Sequence, residues 1–316
     1  MPIQKYNIET ADTDSKYEGL RDLWCRVFGD EPGYVDYVYS LFGEDITGYV
    51  ICNDERKVVS ALTRYRCGDL DGTPVYVSYA VCTDPEYRGL GLGGRLTGYV
   101  RSVVTGARGS MISIEGAPQA EGLGSISLVS PAEDSLIGFY RDLGYGQSCF
   151  ADVISICPGD DDEAEEFILG EDDDFDTFEP EFRVKSAAAS EYNMYREAFL
   201  RDIAHVSMSG PMLDLIRAES REGNGLLVIN GGDAICAVSA CEEGTLTAAE
   251  YIINPMLSAF SEEIHFELAE QLAAYYGADK FAARMPALTL TGKRRLQSMA
   301  AGSRDNPEFY FGFPID

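Results

Sequence analysis

One glycine-rich segment, residues 81–96, constrains the fold of this chain more than any other. Its sequence is Val-Cys-Thr-Asp-Pro-Glu-Tyr-Arg-Gly-Leu-Gly-Leu-Gly-Gly-Arg-Leu. The alternating apolar residues 74–81 predict a strand that leads into it, and the apolar spacing of residues 94–107 predicts a helix that follows. Glycines in such a turn let backbone N–H groups converge on a ligand at the positive end of a helix. The segment therefore predicts a phosphate or pyrophosphate site.

One ligand that such a turn can hold is a dinucleotide. Residues 89–94 satisfy the Gly-x-Gly-x-x-Gly pattern, and Glu115 lies about twenty residues further on, as that pattern asks. In a dinucleotide fold, however, the glycines directly follow the first strand of a parallel sheet. Here residues 83–87 intervene, and strand-like segments come earlier in the chain. The dinucleotide interpretation is therefore the weaker one.

The other spacing is Arg-x-x-Gly-x-Gly, at Arg88, Gly91 and Gly93. With the preceding Val-x-Thr-x-Pro-Glu-Tyr-Arg-Gly, it closely resembles the acyl-CoA-binding motif of the GNAT (GCN5-related) N-acetyltransferases. An ordinary turn without a ligand is the remaining interpretation. The resemblance implies that acetyl-CoA is the cosubstrate and is held by Val81, Cys82, Thr83, Arg88, Gly89, Leu90, Gly91, Leu92, Gly93, Gly94 and Arg95.

Residues 130–145 resemble the second motif of the same family, a helix that ends in Phe-Tyr-x-x-Leu-Gly-Tyr. The resemblance implies that Tyr140 donates a proton to the departing thiolate; packing beside Phe139 is the alternative. Two strand candidates, residues 111–115 and 125–129, precede this motif. We expect residues 125–129 to splay from the neighbouring strand and admit the pantetheine arm, because they lead directly into the motif.

Acetyl transfer to an amine also requires an oxyanion donor and a base. We expect a backbone N–H near residues 81–83 to polarise the thioester carbonyl. A carboxylate must take the proton of the amine, directly or through water. Glu133 and Glu115 are the candidate bases, and Asp30 and Glu31 lie in the loop that usually covers the acceptor in this family. Each of these carboxylates also fits an ordinary surface position.

The order of elements before the glycine-rich segment resembles the N-terminal half of the same fold. The patterns predict a strand at residues 5–9, helices at 15–28 and 34–42, and a hairpin of strands at 49–52 and 58–66. After the second motif, a long apolar strand at residues 147–157 is suited to closing the first domain.

The second half of the chain resembles a worn copy of the first. A strand at residues 182–184, a helix at 190–200, a hairpin at 226–238, a strand at 246–253 and a helix at 261–276 repeat the earlier order. Repeats of this length indicate duplication rather than a solenoid. Residues 254–258, which follow this strand, contain neither a glycine cluster nor an arginine, so we expect this half to have the fold without the cofactor.

We therefore expect an α/β (α+β) protein of two tandem GNAT-like domains, each a mixed, mostly antiparallel twisted sheet flanked by helices. Residues 1–157 are the expected catalytic domain, 158–180 an acidic linker and 181–316 a degenerate domain. The arrangement resembles the enhanced-intracellular-survival-like acetyltransferases without their sterol-carrier-like third domain. In those relatives the terminal carboxylate is thought to serve as base, and an apolar run at residues 309–315 leaves a buried Asp316 conceivable here.

Composition excludes several classes of function. The 53 acidic and 25 basic residues give a net charge of −28, and residues 159–181 alone contain thirteen Asp or Glu and no Lys or Arg. Nucleic-acid binding needs a basic surface, so it is not expected. The acidity could attract a cationic acceptor such as an amine, but a solvated linker that keeps the protein soluble is the favoured explanation.

The remaining composition indicates a soluble protein of a reducing compartment. The eight cysteines are scattered without a Cys-x-x-Cys, and the only histidines are His205 and His265, so we expect neither disulfides nor a metal site. No apolar run is long enough for a membrane span, and no leader opens the chain, so we expect a cytoplasmic location. Tandem proteins of this family often pair, which leaves a homodimer open.

The sequence thus predicts an acetyl-CoA-dependent N-acetyltransferase that acts directly on a primary amine of a small molecule or a peptide. A non-catalytic acyl-CoA-binding protein is the first alternative, because no single carboxylate stands out as the base. A dinucleotide-dependent oxidoreductase is the second alternative. The acceptor itself is not specified by the sequence.

Overall fold

The structure, a computed structural model, describes most of the 316 residues. The expected strand at 111–115 with Glu115, the acidic linker at 158–180 and Asp316 lie outside the described residues. The described ranges are 6–106, 124–157, 182–219, 225–258, 264–286, 293–302 and 308–312.

Strands and helices alternate along the described chain. The strands are β1 (Ile8–Thr10), β2 (Ile46–Cys52), β3 (Val58–Leu70), β4 (Thr73–Thr83), β5 (Ile126–Val129), β6 (Gly146–Ile156), β7 (Val184–Ser186), β8 (Ser207–Met208), β9 (Leu226–Ile229), β10 (Ala234–Glu242), β11 (Thr245–Ile253), β12 (Lys280–Met285) and β13 (Lys293–Ala301). The helices are α1 (Asp14–Phe28), α2 (Pro32–Phe42), α3 (Leu92–Thr105), α4 (Leu136–Asp142), α5 (Ala189–Leu200), α6 (Gly210–Glu219), α7 (Pro255–Ser258) and α8 (Ile264–Tyr275).

The chain divides into two compact units that do not follow its two halves. The first unit contains Met1–Phe150, Ile203–Leu215 and Leu296–Asp316, and the second contains Ala151–Asp202 and Ile216–Arg295. Two pieces of the second half, including most of β13, therefore belong to the first unit. The expected assignment of catalytic and degenerate domains remains a prediction about function.

The sheet of the first unit has one parallel pair of strands among antiparallel ones. Strands β1 to β4 are antiparallel neighbours in chain order, and β4 then pairs in parallel with β5. On its other side β5 pairs antiparallel with β13. The short strand β8 pairs antiparallel with β3.

The sheet of the second unit repeats this series of pairings. Strands β7, β9, β10 and β11 are successive antiparallel neighbours, and β11 pairs in parallel with β12. Strand β12 in turn pairs antiparallel with β6. The two units are thus built alike, as the repeated pattern in the sequence predicts.

The closing strand of each sheet differs from the expectation. Residues 152–156, which the sequence suits to closing the first domain, pair with β12 in the second unit. In the first unit the neighbour of β5 is the end of β13, where residues 299–301 pair with it, and the first residues of β6 also belong to this unit. Both segments pair antiparallel, so the residue pattern alone does not distinguish their partners.

Helices cover both faces of the first sheet because successive strand residues point to opposite sides. Helix α3 packs with Tyr49, Ile51 and Leu62, whereas α1 and α2 pack with Val50 and Ala61 on the other face. The helix boundaries follow local chemistry. Helix α1 ends at Gly29, whose φ of 84° places it in the left-handed region, and α2 begins at Pro32, which fits a first helical turn.

Candidate functional site

A β-bulge interrupts β4 four residues before its end. Ala61 pairs with Cys82 and Thr63 pairs with Tyr79, so Ala80 and Val81 together oppose a single residue of β3. Ala80 has a φ of 49°, an uncommon value for a residue other than glycine. Because a bulge bends its strand and re-aims the groups around it, this one changes the direction of the β4 backbone just before the glycine-rich turn.

Strand β4 also loses its parallel partner near the bulge. Its registered pairs with β5 run from Val75 with Ile126 to Val77 with Leu128, while β4 itself continues to Thr83. Among the described residues, positions 78–83 of β4 are registered only with β3. The registered pairing of the two parallel strands thus stops at Val77 and Leu128, and the rest of β4, residues 78–83, is its parted end. The expected splaying of residues 125–129 remains a prediction. The parted edge of β4 has backbone groups to offer an extended ligand.

The glycine-rich turn leads from β4 into the first turn of α3. Gly89 and Gly91 have φ values of 79° and 71°, and a side chain on either would meet no atom within 4 Å. Gly91 caps α3, and its carbonyl accepts the first bond of the helix from the N–H of Arg95. The preceding N–H groups have no acceptor within the helix, so they and the helix dipole are available to an anion.

A buried carboxylate, Asp84, fixes the start of this turn. It is 4% exposed and accepts the N–H of Glu86 at 3.2 Å, Nη2 of Arg26 at 3.0 Å and Nζ of Lys57 at 3.1 Å. Burial alone would raise the pKa of Asp84, but the bonds from Lys57 and Glu86 and the charge of Arg26 lower it overall. Asp84 lies within the motif, yet the sequence analysis assigned it no role.

Polar contacts hold the end of β4 in place. The Ser60 hydroxyl donates to the Cys82 carbonyl at 3.0 Å and lies 2.9 Å from Oγ1 of Thr83. Burial raises the pKa of the Cys82 thiol to about 12, so this cysteine stays protonated near neutral pH and is a poor nucleophile. The end of β4 therefore presents backbone rather than a reactive side chain.

The two arginines of the motif make different contacts. Arg88 is exposed and donates from Nε to the Thr83 carbonyl at 3.3 Å, which leaves the rest of its guanidinium in solvent beside the turn. Arg95 donates from Nη2 to the carbonyl of Tyr6 at 2.8 Å and thereby ties α3 to the segment before β1. Arg88 is thus the better placed of the two for a ligand phosphate.

The tyrosine of the second motif lies in α4 and is 7% exposed. Tyr140 packs with Val129, Tyr145 and Met299, and burial raises its pKa. No described residue hydrogen-bonds to its hydroxyl. The helix also lies close to α3, because a side chain at Gly94 would meet the Phe139 ring at 3.3 Å. The fold therefore brings the two motifs together.

The candidate bases lie in different surroundings. Glu133 is exposed and accepts a bond from the Ser135 hydroxyl at 3.1 Å. Asp30 accepts the indole N–H of Trp24 at 2.7 Å, and Glu31 is exposed at the start of α2. Glu115 lies outside the described residues. The described carboxylates thus hold surface or loop positions.

Aromatic side chains that the sequence analysis did not assign line the α1–α2 face beside the bulge. The Tyr79 ring lies 5.2 Å from that of Trp24 and 5.8 Å from that of Tyr65. The hydroxyls of Tyr34 and Tyr79 lie 3.2 Å apart. Tyr79 immediately precedes Ala80, so this aromatic cluster (Trp24, Tyr34, Tyr65 and Tyr79) borders the parted end of β4. The dense tyrosines of residues 34–39 were its only signal in the sequence.

The corresponding place in the second unit is built differently. After β11, Asn254 accepts the N–H of Met256 at 3.0 Å and caps the short helix α7 in place of a glycine turn. Glu250 of β11 is fully buried and bonded to Arg196 at 3.1 Å and to the Tyr192 hydroxyl at 2.9 Å. Glu250, Arg196 and Tyr192 thus pair with one another in the interior of the second unit.

The eight cysteines are free thiols, and the described residues contain no group of three or more His, Cys, Asp or Glu placed to hold a metal ion. Within the described ranges, no helix is both long and apolar enough to cross a membrane.

The chain is similar in structure to several proteins whose structures have been solved. No protein-family model matches the chain, and no curated protein matches it. A probable N-acyltransferase from Enterococcus faecalis V583 aligns with a TM-score of 0.62 at 14% identity, over 93% of this chain and 72% of that one. Eis1 from Mycobacterium abscessus aligns with a TM-score of 0.55 at 11% identity, again over 93% and 72%. A tandem GNAT protein from the clavulanic acid biosynthesis pathway aligns with a TM-score of 0.50 at 12% identity, over 96% and 100%.

Proposed function

The chain has the GNAT fold in tandem, and from that premise we propose that its first unit is an acetyl-CoA-dependent N-acetyltransferase acting directly on a primary amine of a small molecule or a peptide. The observation that carries the proposal is the coincidence of three features at the end of β4. These are the bulge at Ala80, the parting from β5 and the open glycine turn that caps α3. The second unit, with Asn254 in place of the glycines, is proposed to bind no CoA.

The fit to CoA follows from the chemistry of the turn. The pyrophosphate would lie against the N–H groups that begin α3, with Arg88 beside it. The turn has room for it, because the space next to the Cβ positions of Gly89 and Gly91 is open. The pantetheine arm is extended and carries amides, so it suits the parted edge of β4. We assign this binding to residues 81–83 and 88–95.

The transfer itself needs one proton donor and one acceptor. The amine nitrogen bonds to the thioester carbon while the carbon–sulfur bond breaks, and the N–H of a residue in 81–83 stabilises the charge on the oxygen. Tyr140 gives its proton to the departing thiolate, and its raised pKa keeps that proton in place until then. The amine proton leaves to a carboxylate or through water to solvent, with Glu133 and Glu115 as the proposed bases.

The net charge of −28 supports a cationic acceptor, because an ammonium group is attracted to an acidic protein. The free thiols agree with a reducing compartment, and we propose a cytoplasmic location.

Calorimetric titration with acetyl-CoA, CoA and NAD tests the proposal. We expect both CoA ligands to bind and NAD not to bind. In Gly91→Asp the new carboxylate faces the pyrophosphate, and we expect CoA affinity to fall by a factor of a hundred or more. Gly72→Asp is the matched control, because Gly72 also has a positive φ of 77° with open space around it but lies at the opposite end of β4.

Wild-type affinity for CoA in the Gly91 variant, or equal losses in both variants, would contradict the proposal. A second candidate function, acyl-CoA binding without transfer, is favoured by the exposed position of Glu133. A panel of amines distinguishes the two: an acetyltransferase releases CoA thiol with at least one of them, whereas a binding protein releases none.

A further inference from the structure

Strand β13 brings into the first unit a buried amide whose polar atoms are unused. Gln297 is 7% exposed, and neither its Oε1 nor its Nε2 has a hydrogen-bond partner among the described residues. Buried polar groups are nearly always paired, because an unpaired one forfeits its bonds to water. A polar side chain left in this state indicates a missing ligand when it borders a binding site.

The register of β13 places Gln297 at the parted ends of β4 and β5. Met299 pairs with Val129, and one step further the Ser298 and Ser130 hydroxyl oxygens lie 2.7 Å apart. Antiparallel pairing then sets Gln297 just beyond the carboxyl end of β5. Since β4 and β5 are parallel, this is the end at which β4 departs towards the glycine turn.

The contacts of β13 also indicate which face of the first sheet its last residues occupy. Alternate residues of a strand share a face, and Met299 and Ala301 both pack in the cluster that contains Tyr140. Leu296 packs against the same cluster, so the end of β13 that contains Gln297 borders the cluster of Tyr140. Both polar atoms of the Gln297 amide are buried without a partner. No described residue hydrogen-bonds the Tyr140 hydroxyl.

We propose that Gln297 hydrogen-bonds the amide of the pantetheine arm nearest the sulfur of acyl-CoA. This inference rests on the proposed function. A carboxamide offers a donor and an acceptor together, which is the complement of a secondary amide. In pantetheine only an ethylene link separates that amide from the sulfur. A residue beside the thiolate's proton donor, Tyr140, therefore lies near that amide when CoA is bound.

The variant Gln297→Met tests this inference, because methionine has nearly the same length without polar atoms. Without CoA, the buried amide lacks hydrogen bonds and destabilises the folded protein. Its replacement by an apolar side chain removes that cost, so we expect Tm of the unliganded protein to rise by about 2–4 °C. We expect the Kd for CoA to increase about fivefold, as for one lost hydrogen bond. The Kd for 3′,5′-ADP, which lacks the pantetheine arm, should not change.

Ser298→Ala is the matched control on the same strand. It removes the partner of Ser130, so we expect a lower Tm with both Kd values unchanged. An unchanged Kd for CoA in Gln297→Met, or an equal loss for CoA and 3′,5′-ADP, would overturn the inference. If the wild-type protein binds neither ligand, the proposed function itself fails, and the two failures are thereby distinguished.

Discussion

The side chain of Tyr140 shows how packing prepares one residue for chemistry. It is buried against Val129, Tyr145 and Met299, yet none of the described residues hydrogen-bonds its hydroxyl. Burial disfavours the phenolate and raises its pKa above the ordinary value near 10. The hydroxyl therefore stays protonated at neutral pH.

We expect Tyr140→Phe to lower kcat about a hundredfold with little change in the Kd for CoA, because only proton donation is lost. Since the pKa is raised, deprotonation of Tyr140 should not reduce the wild-type rate until the pH exceeds about 10. Steady-state rates across pH, followed by release of CoA thiol, measure both effects. A fully active Phe variant would leave Tyr140 as a packing residue.

Asp84 is a second residue whose protonation state and function depend on its contacts. It joins the turn at Glu86 to Arg26 of α1 and Lys57 of the β2–β3 hairpin. These contacts lower its pKa despite its burial, so the carboxylate is charged at neutral pH. Its role is to position the glycine turn rather than to take a proton.

At the scale of one element, the bulge in β4 controls the direction of the strand. Ala80 and Val81 of β4 lie opposite a single residue of β3. Ala80 also adopts a positive φ that only small or turn-forming residues accept readily. Beyond its registered pairs with β5, the strand keeps its pairing with β3 up to Thr83. We assign the pantetheine arm to this part of β4.

Substitution of Ala80 tests the bulge. A β-branched residue is strongly disfavoured at positive φ, so we expect Ala80→Val to lower the free energy of unfolding by about 1–3 kcal/mol and to weaken CoA binding. Ala80→Gly is the control, because glycine accepts this conformation, and it should bind CoA like the wild type. Urea unfolding and calorimetric titration provide the measurements. A Val variant that matches the wild type in both would show that the bulge is not required.

At the scale of the whole molecule, each sheet includes a strand from an unexpected part of the chain. Strand β13 lies next to β5 in the first sheet, and β6 lies next to β12 in the second. The first unit also includes β8 and the buried aromatic residues Phe309, Tyr310 and Phe311. Both motif segments lie within residues 1–150, but the unit that holds them does not.

Because the first unit is assembled from separate segments of the chain, the behaviour of an N-terminal fragment can be predicted. Residues 1–157 contain both motifs, yet they lack β8, β13 and the aromatic residues at 309–311. We expect the fragment to show no cooperative thermal transition by circular dichroism and no CoA binding. Addition of residues 182–316 in trans supplies the missing strands, and we expect binding to return. A fragment that melts cooperatively and binds CoA alone would contradict this account.

Local residue patterns specify the elements and the position of the glycine-rich turn. The glycine spacing at residues 88–94, the apolar periods around it and the repeat of the element order are local patterns. Local patterns specify strands, helices and turns because they depend on near neighbours along the chain. The prediction of a tandem GNAT fold is accordingly confirmed by the structural comparisons.

Long-range packing, by contrast, sets which strands become neighbours in each sheet and which distant side chains meet. The pairing of β13 with β5, the contacts of Asp84 with Arg26 and Lys57, and the burial of Gln297 join residues far apart in sequence. A strand can pair with any sheet edge of suitable register, so its own residues do not determine which strand becomes its neighbour. Long-range packing selects among those partners.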